Sequence, residues 1–226
     1  MDEDLFEAEI PGYQPRKVAV TLGRMNPPTR GHYKVINSLK AFIRDNPKLG
    51  LDATPVVVIV AGSKTDEDKK RNPLSGEERK AFMEGSGKAN GVKFLIAPNA
   101  FAAFGKVREE GMEPIAFAAG EDRAANYQKM LDKYFLQDEK PVKHHAIKLD
   151  RDFDSEHDDG EGYFAKVIQM INDGDEVDDS QISGSLARHA AREGEAKAFA
   201  YITGLEKKPA LAAKLLKKVK GAQDGA

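Results

Sequence analysis

Val18-Ala19-Val20-Thr21-Leu22-Gly23-Arg24-Met25-Asn26-Pro27-Pro28-Thr29-Arg30-Gly31-His32 is the stretch on which the reading of this chain turns. Residues 18–22 form an apolar run of strand length that stops at Gly23, the pattern of a buried strand. Pro27-Pro28 breaks the backbone, and from His32 to Ile43 the apolar residues Val35, Ile36, Leu39, Phe42 and Ile43 recur at helical spacing. A strand, a sharp turn and a helix in succession present free N–H groups and the positive end of a helix dipole to an anion. Gly31 permits close approach of the backbone to a ligand. His32, at the start of the helix, is placed to donate a hydrogen bond to a phosphate oxygen. The spacing is neither that of a P-loop nor that of a dinucleotide-binding Gly-x-Gly-x-x-Gly turn. Taken alone, the same residues also describe an ordinary strand–loop–helix turn with a threonine N-cap.

Outward from this stretch the alternation continues. Val56–Val60, Val92–Ile96, Ile115–Ala119 and Ala146–Leu149 read as further strands, separated by helical segments at Glu77–Met83, Phe101–Glu110 and Asp122–Tyr134. Strands alternating with helices imply βαβ units. The expected fold is therefore α/β and Rossmann-like, a parallel sheet of about five strands flanked by helices. Two acidic stretches follow, Asp150 to Glu161 and Asp173 to Asp179, and both read as solvated loops. A short helix is expected between them, and another from Ser183 or Ser185 through Arg192. The expected division is a lead-in over 1–16, a domain over 17–203 and a basic C-terminal helical extension over 204–226.

At 226 residues the chain is long enough for one α/β domain with an appendage. No apolar run approaches the roughly 20 residues of a membrane span, so no membrane partner is expected. The acidic start Met1-Asp2-Glu3-Asp4 lacks the basic, then apolar, pattern of a secretory signal, so a cytoplasmic location is expected. The absence of cysteine excludes disulfides, thiolate catalysis and Cys-ligated zinc. A net charge of −2 gives no global field for nucleic acid, and no sequence-specific nucleic-acid partner is expected. His144, His145 and His157 lie near acidic residues, but their spacing fits no zinc pattern, and no metal ligand is assigned. Lys64, Lys106 and His189 read as surface residues.

Ile182-Ser183-Gly184-Ser185-Leu186-Ala187-Arg188 is a second motif, about 150 positions after the first. Two hydroxyls at a helix start can hold phosphate groups, and Arg188, one turn on, can pair with phosphate oxygens through its planar fork. By itself it would be a capped helix. With the Gly-Arg-Met-Asn-Pro-Pro-Thr-Arg-Gly-His segment it resembles the nucleotidyltransferase superfamily marked by a His/Thr-x-Gly-His motif. That superfamily includes nicotinamide mononucleotide adenylyltransferases, phosphopantetheine adenylyltransferases and glycerol-phosphate cytidylyltransferases. Asn72-Pro73-Leu74-Ser75-Gly76-Glu77-Glu78-Arg79 resembles the Asn-Pro-x-Ser/Thr-x-x-Glu-Arg segment of archaeal-type nicotinamide mononucleotide adenylyltransferases, and also reads as a capping box. Ala119-Gly120-Glu121-Asp122 resembles the superfamily's Gly-x-Asp segment, and the helix after it is close in style to bacteriophage-encoded members. The resemblance covers roughly residues 17–203.

The resemblance implies transfer of a nucleotidyl group from ATP or CTP to a small phosphorylated acceptor, with Mg²⁺ carried on the triphosphate. It implies catalytic contacts from Thr29, His32 and Arg188. Nucleotide contacts would come from Gly23, Arg24, Met25, Asn26, Gly31, Ile182, Ser183 and Ser185, and contacts to acceptor or nucleotide from Asn72, Arg79, Gly120 and Asp122. Adenylyl transfer to nicotinamide mononucleotide is the leading reading. Cytidylyl transfer to a phosphorylated alcohol and a non-catalytic nucleotide-binding role are the alternatives. Leu211, Leu215 and Val219 fall in one i, i+4 row, so the lysine-rich tail is expected to be an amphipathic accessory helix. It would be dispensable for chemistry, and either packs on its own domain or serves a partner or oligomer contact.

Overall fold

The computed structural model describes residues 15–62, 67–134, 136–137, 140–141, 145–149 and 160–224. The readings at 1–14, Lys64, His144 and 150–159, with His157, lie outside the described residues.

Five parallel strands form the sheet: β1 (Arg16–Gly23), β2 (Val56–Val60), β3 (Lys93–Ala97), β4 (Met112–Gly120) and β7 (His145–Leu149). Their order is β3-β2-β1-β4-β7, with every neighbouring pair parallel. A two-stranded ribbon, β5 (Leu136–Gln137) with β6 (Lys140–Pro141), stands apart from it. The helices are α1 (Arg30–Asp45), α2 (Gly76–Ser86), α3 (Ala100–Glu109), α4 (Glu121–Tyr134), α5 (Glu161–Asp173), α6 (Gly184–Glu193), α7 (Ala196–Thr203) and α8 (Pro209–Asp224). The fold is α/β and Rossmann-like. Because the sheet is covered on both faces, β2 reads as an unbroken Val-Val-Val-Ile-Val run rather than an alternating one.

Val18, Val20 and Leu22 of β1 face α3 and α4 in one buried cluster with Val56, Val58, Phe104, Phe117 and Leu131. On the opposite face α1 contributes Tyr33, Ile36 and Leu39, packed against Val57 and Ile59 and against Ala19, Ala116 and Ala118. β1 runs on to β2 and β3 in one direction and is flanked by β4 on the other. The order reverses between β1 and β4, and in open α/β sheets the crevice at such a switch point is where ligands bind.

β4 starts three residues before the apolar run that reveals it in the sequence. Glu113 and Pro114, which the sequence reading left outside the strand, are both in it. Pro114 sits where the β1–β4 register skips Ile115, a bulge that tolerates a residue without an N–H. Glu113 is 3% exposed and accepts two hydrogen bonds from Arg108 of α3, at 3.1 and 3.2 Å. α7 and the ribbon are further elements beyond the sequence reading.

A third layer of helices lies beyond α2. Val167 and Ile171 of α5, Leu186 and Ala190 of α6, Phe199 and Ile202 of α7, and Ala212, Leu215 and Val219 of α8 form one buried cluster with Leu74 and Phe82. The row predicted for the tail is a packed face, and its lysines lie on the flanks and outer side. Residues 204–224 are therefore continuous with this layer, and the proposed boundary after residue 203 crosses a shared core rather than a gap. The stretch Asp173 to Asp179 is also more than a solvated loop: Val177 is buried, and Asp179 pairs with Arg30 at 3.0 Å.

Candidate active site

α1 begins at Thr29, its N-cap, and His32 occupies the third helical position. The Nδ1 atom of His32 accepts the Thr29 backbone N–H at 3.0 Å and lies 2.9 Å from the Thr29 hydroxyl. Here an imidazole takes the place that glutamate holds in a capping box. A backbone N–H can only donate, so Nδ1 is unprotonated in this arrangement and the ring proton is on Nε2. Thr29 is 1% exposed, so it meets His32 rather than the cleft.

The close approach that Gly31 permits is to the chain itself. A Cβ at this position would stand 2.8 Å from the Ile182 carbonyl oxygen and 3.2 Å from that of Asp179. The starts of α1 and α6 can touch because that methyl group is missing. Gly184 serves the same junction, since a Cβ there would press on the Asn26 carbonyl oxygen and the Arg188 guanidinium at 3.3 and 3.4 Å. Arg188 donates from Nη1 to that Asn26 carbonyl at 2.7 Å and from Nη2 to the Ser185 hydroxyl at 2.9 Å. The Ser183 hydroxyl is the N-cap of α6 and accepts the Leu186 N–H at 3.1 Å.

Asn26 joins a third segment to these two. Its side-chain amide donates to the Leu74 carbonyl at 2.9 Å, and its oxygen accepts the Leu74 N–H at 3.1 Å. Met25, at φ 50, is a non-glycine residue in the left-handed region, held there by burial against α1 and α2. Ile182 is buried in the helical layer and supports the motif from behind.

Together these segments enclose a cleft of about 310 Å³ at the switch point. The ends of β1 and β4 supply Thr21, Leu22, Gly23, Ala119 and Gly120. The turn after β1 supplies Arg24, Met25 and Asn26, and α1 supplies His32 and Val35. Arg71 and Asn72 form one wall, Ser183, Gly184, Ser185 and Arg188 another, and Tyr127 of α4 closes an aromatic corner. Ten of the residues expected from the sequence thus line it: Gly23, Arg24, Met25, Asn26, His32, Asn72, Gly120, Ser183, Ser185 and Arg188.

Arg79 is a correction. It is fully buried and donates to the carbonyls of Ser75, Arg24 and Val60 at 3.0, 2.6 and 2.9 Å, so it braces the turn that carries Arg24 instead of meeting a ligand. Thr29, Gly31 and Ile182 likewise lie behind the cleft wall. Asp122 falls in the first turn of α4, with its side chain outside the described set. Arg71, Tyr127, Thr21, Val35 and Gly184 are residues the sequence reading left without a role. Arg71 had one available signal, a cation directly before the Asn72-Pro73 segment.

Three guanidiniums, from Arg24, Arg71 and Arg188, share this cleft, and its described lining contains no carboxylate. Burial, reinforced by the like charges of Arg24 and Arg71, pushes the Arg188 guanidinium down to about 10. It remains charged at neutral pH, in surroundings that an anion would improve. Arg71 has an ion pair at 3.6 Å with Asp68, both side chains being largely exposed. Among the described residues no group of three or more His, Asp or Glu is arranged to hold a metal ion. No described helix is long and apolar enough to cross a membrane.

No protein-family model matches the chain, and no curated protein matches it. Solved structures do. A macrolide-efflux protein from Streptococcus pneumoniae superposes with a TM-score of 0.49 at 15% identity, over 84% of this chain. This chain spans 56% of that protein's length. A Plasmodium falciparum nicotinic acid mononucleotide adenylyltransferase, complexed with NaAD, superposes with a TM-score of 0.48 at 14% identity, over 89% of this chain and 98% of its own. At these values neither likeness bears on substrate or reaction.

Proposed function

We propose that this chain is a nucleotidyltransferase, moving a nucleotidyl group from a nucleoside triphosphate to a small phosphorylated acceptor. The observation that carries the reading is the cleft itself. Two helix starts, three guanidiniums, a histidine with its proton on Nε2 and two serine hydroxyls converge at the switch point, with no described carboxylate in the lining. Such a site suits a chain of phosphates.

In this reading an oxygen of the acceptor phosphate attacks the α-phosphorus. The bond from that phosphorus to the bridging oxygen of the β-phosphate breaks, and pyrophosphate departs with the electron pair. The acceptor phosphate is already ionised near neutral pH, so no protein nucleophile is required. Catalysis consists of positioning and charge stabilisation. His32 donates from Nε2 to the α-phosphate or the bridging oxygen. Ser183, Ser185 and Arg188 hold the departing pyrophosphate, and Arg24 and Arg71 add positive charge along the triphosphate. The described cleft side chains offer no carboxylate to Mg²⁺, so the ion would travel on the triphosphate through phosphate oxygens and water, and no residue is assigned to it. Val35 and Tyr127 give the cleft an apolar side fitted to a base or an aromatic acceptor.

ATP with nicotinamide mononucleotide is the favoured pair, on the Gly23-Arg24 turn and the Asn72–Arg79 segment. The test is to incubate the protein with each nucleoside triphosphate and a panel of acceptors: nicotinamide mononucleotide, nicotinic acid mononucleotide, phosphopantetheine and glycerol 3-phosphate. Acceptor-dependent pyrophosphate release is the expected result. Its absence with every pair would overturn the reading.

A further inference from the structure

The wall that carries Arg71 and Asn72 is a loop, and part of what fixes it comes from the far end of the chain. Gln223, in the last turn of α8, donates from Nε2 to the Lys70 carbonyl at 2.7 Å. Lys218, also on α8, bonds the Glu78 carboxylate. Glu78 is the capping residue of α2: its other oxygen accepts the Ser75 N–H at 3.0 Å, and the Ser75 hydroxyl accepts the Glu78 N–H at 3.2 Å. Burial raises the Glu78 carboxyl, but the bonds from Lys218 and Ser75 and the Lys218 charge outweigh it, and the group sits below its usual range. Lys208, just before α8, donates to the Gly85 carbonyl at 2.6 Å and so holds the end of α2. Segment 70–78 is thus fastened at both ends by α8 and in the middle by Asn26 through Leu74. Val219 lies one turn before Gln223, at 0% exposure, so the fastening point rests on the buried face of the helical layer.

We propose that the C-terminal half of α8 is a buttress of the cleft, with Gln223 and Lys218 as positioning residues that hold Arg71 and Asn72 against it. They touch no ligand themselves. The role of Arg71 depends on its backbone, since its side chain is 76% exposed and its ion pair is to nearby Asp68. Without the two fastenings, residues 70–72 keep their local bonds to Asp68 and the Asn26 tie at Leu74 but lose their hold on α8, and the Arg71 charge spends less time over the cleft. This purpose rests on the anion-binding reading of the cleft; the fastening itself does not.

The test uses the full-length chain with Gln223→Ala, Lys218→Met and the pair combined, and with Lys218→Arg as the conservative control. Hydrogen exchange is read at the Asn72 and Leu74 amides and, for comparison, at Val58 and Phe117 in the sheet and Leu186 in the helical layer. Calorimetry reads the affinity for ATP and for inorganic tripolyphosphate. The expected result is faster exchange confined to the 70–78 segment, with tripolyphosphate bound about tenfold more weakly by the double variant, a factor on the scale of the hydrogen bonds removed. Lys218→Arg should stay near the parent. In the transfer assay KM for ATP should rise more than kcat falls. Unchanged exchange at Asn72 and Leu74, or exchange accelerated throughout the helical layer, would overturn the proposal, because α8 would then be inert or merely structural. Local loosening with unchanged tripolyphosphate affinity would overturn the link to the cleft. If the parent protein binds neither ATP nor tripolyphosphate, the nucleotidyltransferase reading fails and the cleft role falls with it, while the exchange data still decide whether the segment is fastened by α8.

Discussion

At the scale of single residues, the cleft is assembled by groups that mostly serve one another. Thr29 sets the ring of His32, Gly31 lets two motifs touch, and Asn26 offers its carbonyl to Arg188 and its amide to Leu74. His32→Ala should lower turnover by roughly 10² or more, the scale of a lost charge-stabilising donor, measured as pyrophosphate release with the correct substrates. Thr29→Val should do less, since the Thr29 N–H still holds Nδ1. Arg188→Ala should weaken triphosphate binding and slow the reaction together, and Arg188→Lys should recover only part, a point charge replacing a planar fork. Full recovery with lysine would reduce the role of Arg188 to screening. Gly31→Ala forces a methyl group to 2.8 Å from the Ile182 carbonyl oxygen. The expected cost is about 1–3 kcal/mol in urea unfolding, with weaker triphosphate binding because the two helix starts are pushed apart.

At the scale of elements, much was legible. β1, β2 and β3 and the helices after β1 and β3 follow directly from apolar runs and helical spacing, since a parallel strand buried on both faces advertises itself. The two motifs that line the cleft were legible as well, because each places a specific residue at a helix start. What the sequence concealed were long-range partnerships. The start of β4 at Met112 stays hidden until the Glu113–Arg108 pair and the bulge opposite Val18 and Ala19 are known. Arg79 resembled a ligand contact because an arginine buried among carbonyls looks no different, in sequence, from one that meets a phosphate. The pair of Glu113 and Arg108 yields a prediction with a sign. Burial, opposed by the nearby guanidinium of Arg108, raises the Glu113 carboxyl above its usual range. The folded state therefore holds this proton to higher pH than the unfolded state does, and the group's contribution to stability declines as pH rises from the ordinary carboxylate range through the raised value. Arg108→Met removes the opposing charge and strengthens that trend. It should cost about 2 kcal/mol near pH 7, less than a fully buried pair because Arg108 is 36% exposed, and much less near pH 4, where Glu113 is protonated. Denaturant titrations at the two pH values measure the difference; an equal loss at both would show that the arginine acts through packing alone.

At the scale of the whole molecule, the third layer changes the meaning of the C-terminus. Ala212, Leu215 and Val219 close a core shared with α5, α6 and α7, and α6 is the helix that bears Ser185 and Arg188. A chain cut after Gly204 should therefore lose its cooperative thermal transition or aggregate, where a separable accessory helix would leave the transition in place. Leu215→Ala in the full chain should cost about 2–4 kcal/mol, as expected for a large side chain removed from a buried site. Arg30 shows the same integration from the other end. It pairs with Asp179 at 3.0 Å and Glu206 at 2.8 Å and stacks 4.2 Å over the Tyr201 ring, joining the start of α1 to the segments before α6 and after α7.

The three guanidiniums of the cleft have one more consequence. In energy-landscape language they are a patch of local frustration, like charges gathered in one cleft, whereas Arg108 and Arg30 each meet a carboxylate across a short distance. Polyanions relieve such a patch with little regard for their identity. If the cleft holds a triphosphate as proposed, phosphate buffer, citrate, heparin resin and stray polyphosphate should compete for the same wall. A triphosphate affinity measured for this protein would then be partly a property of the solution that surrounds it, and salts chosen for convenience would act as inhibitors of the proposed transfer.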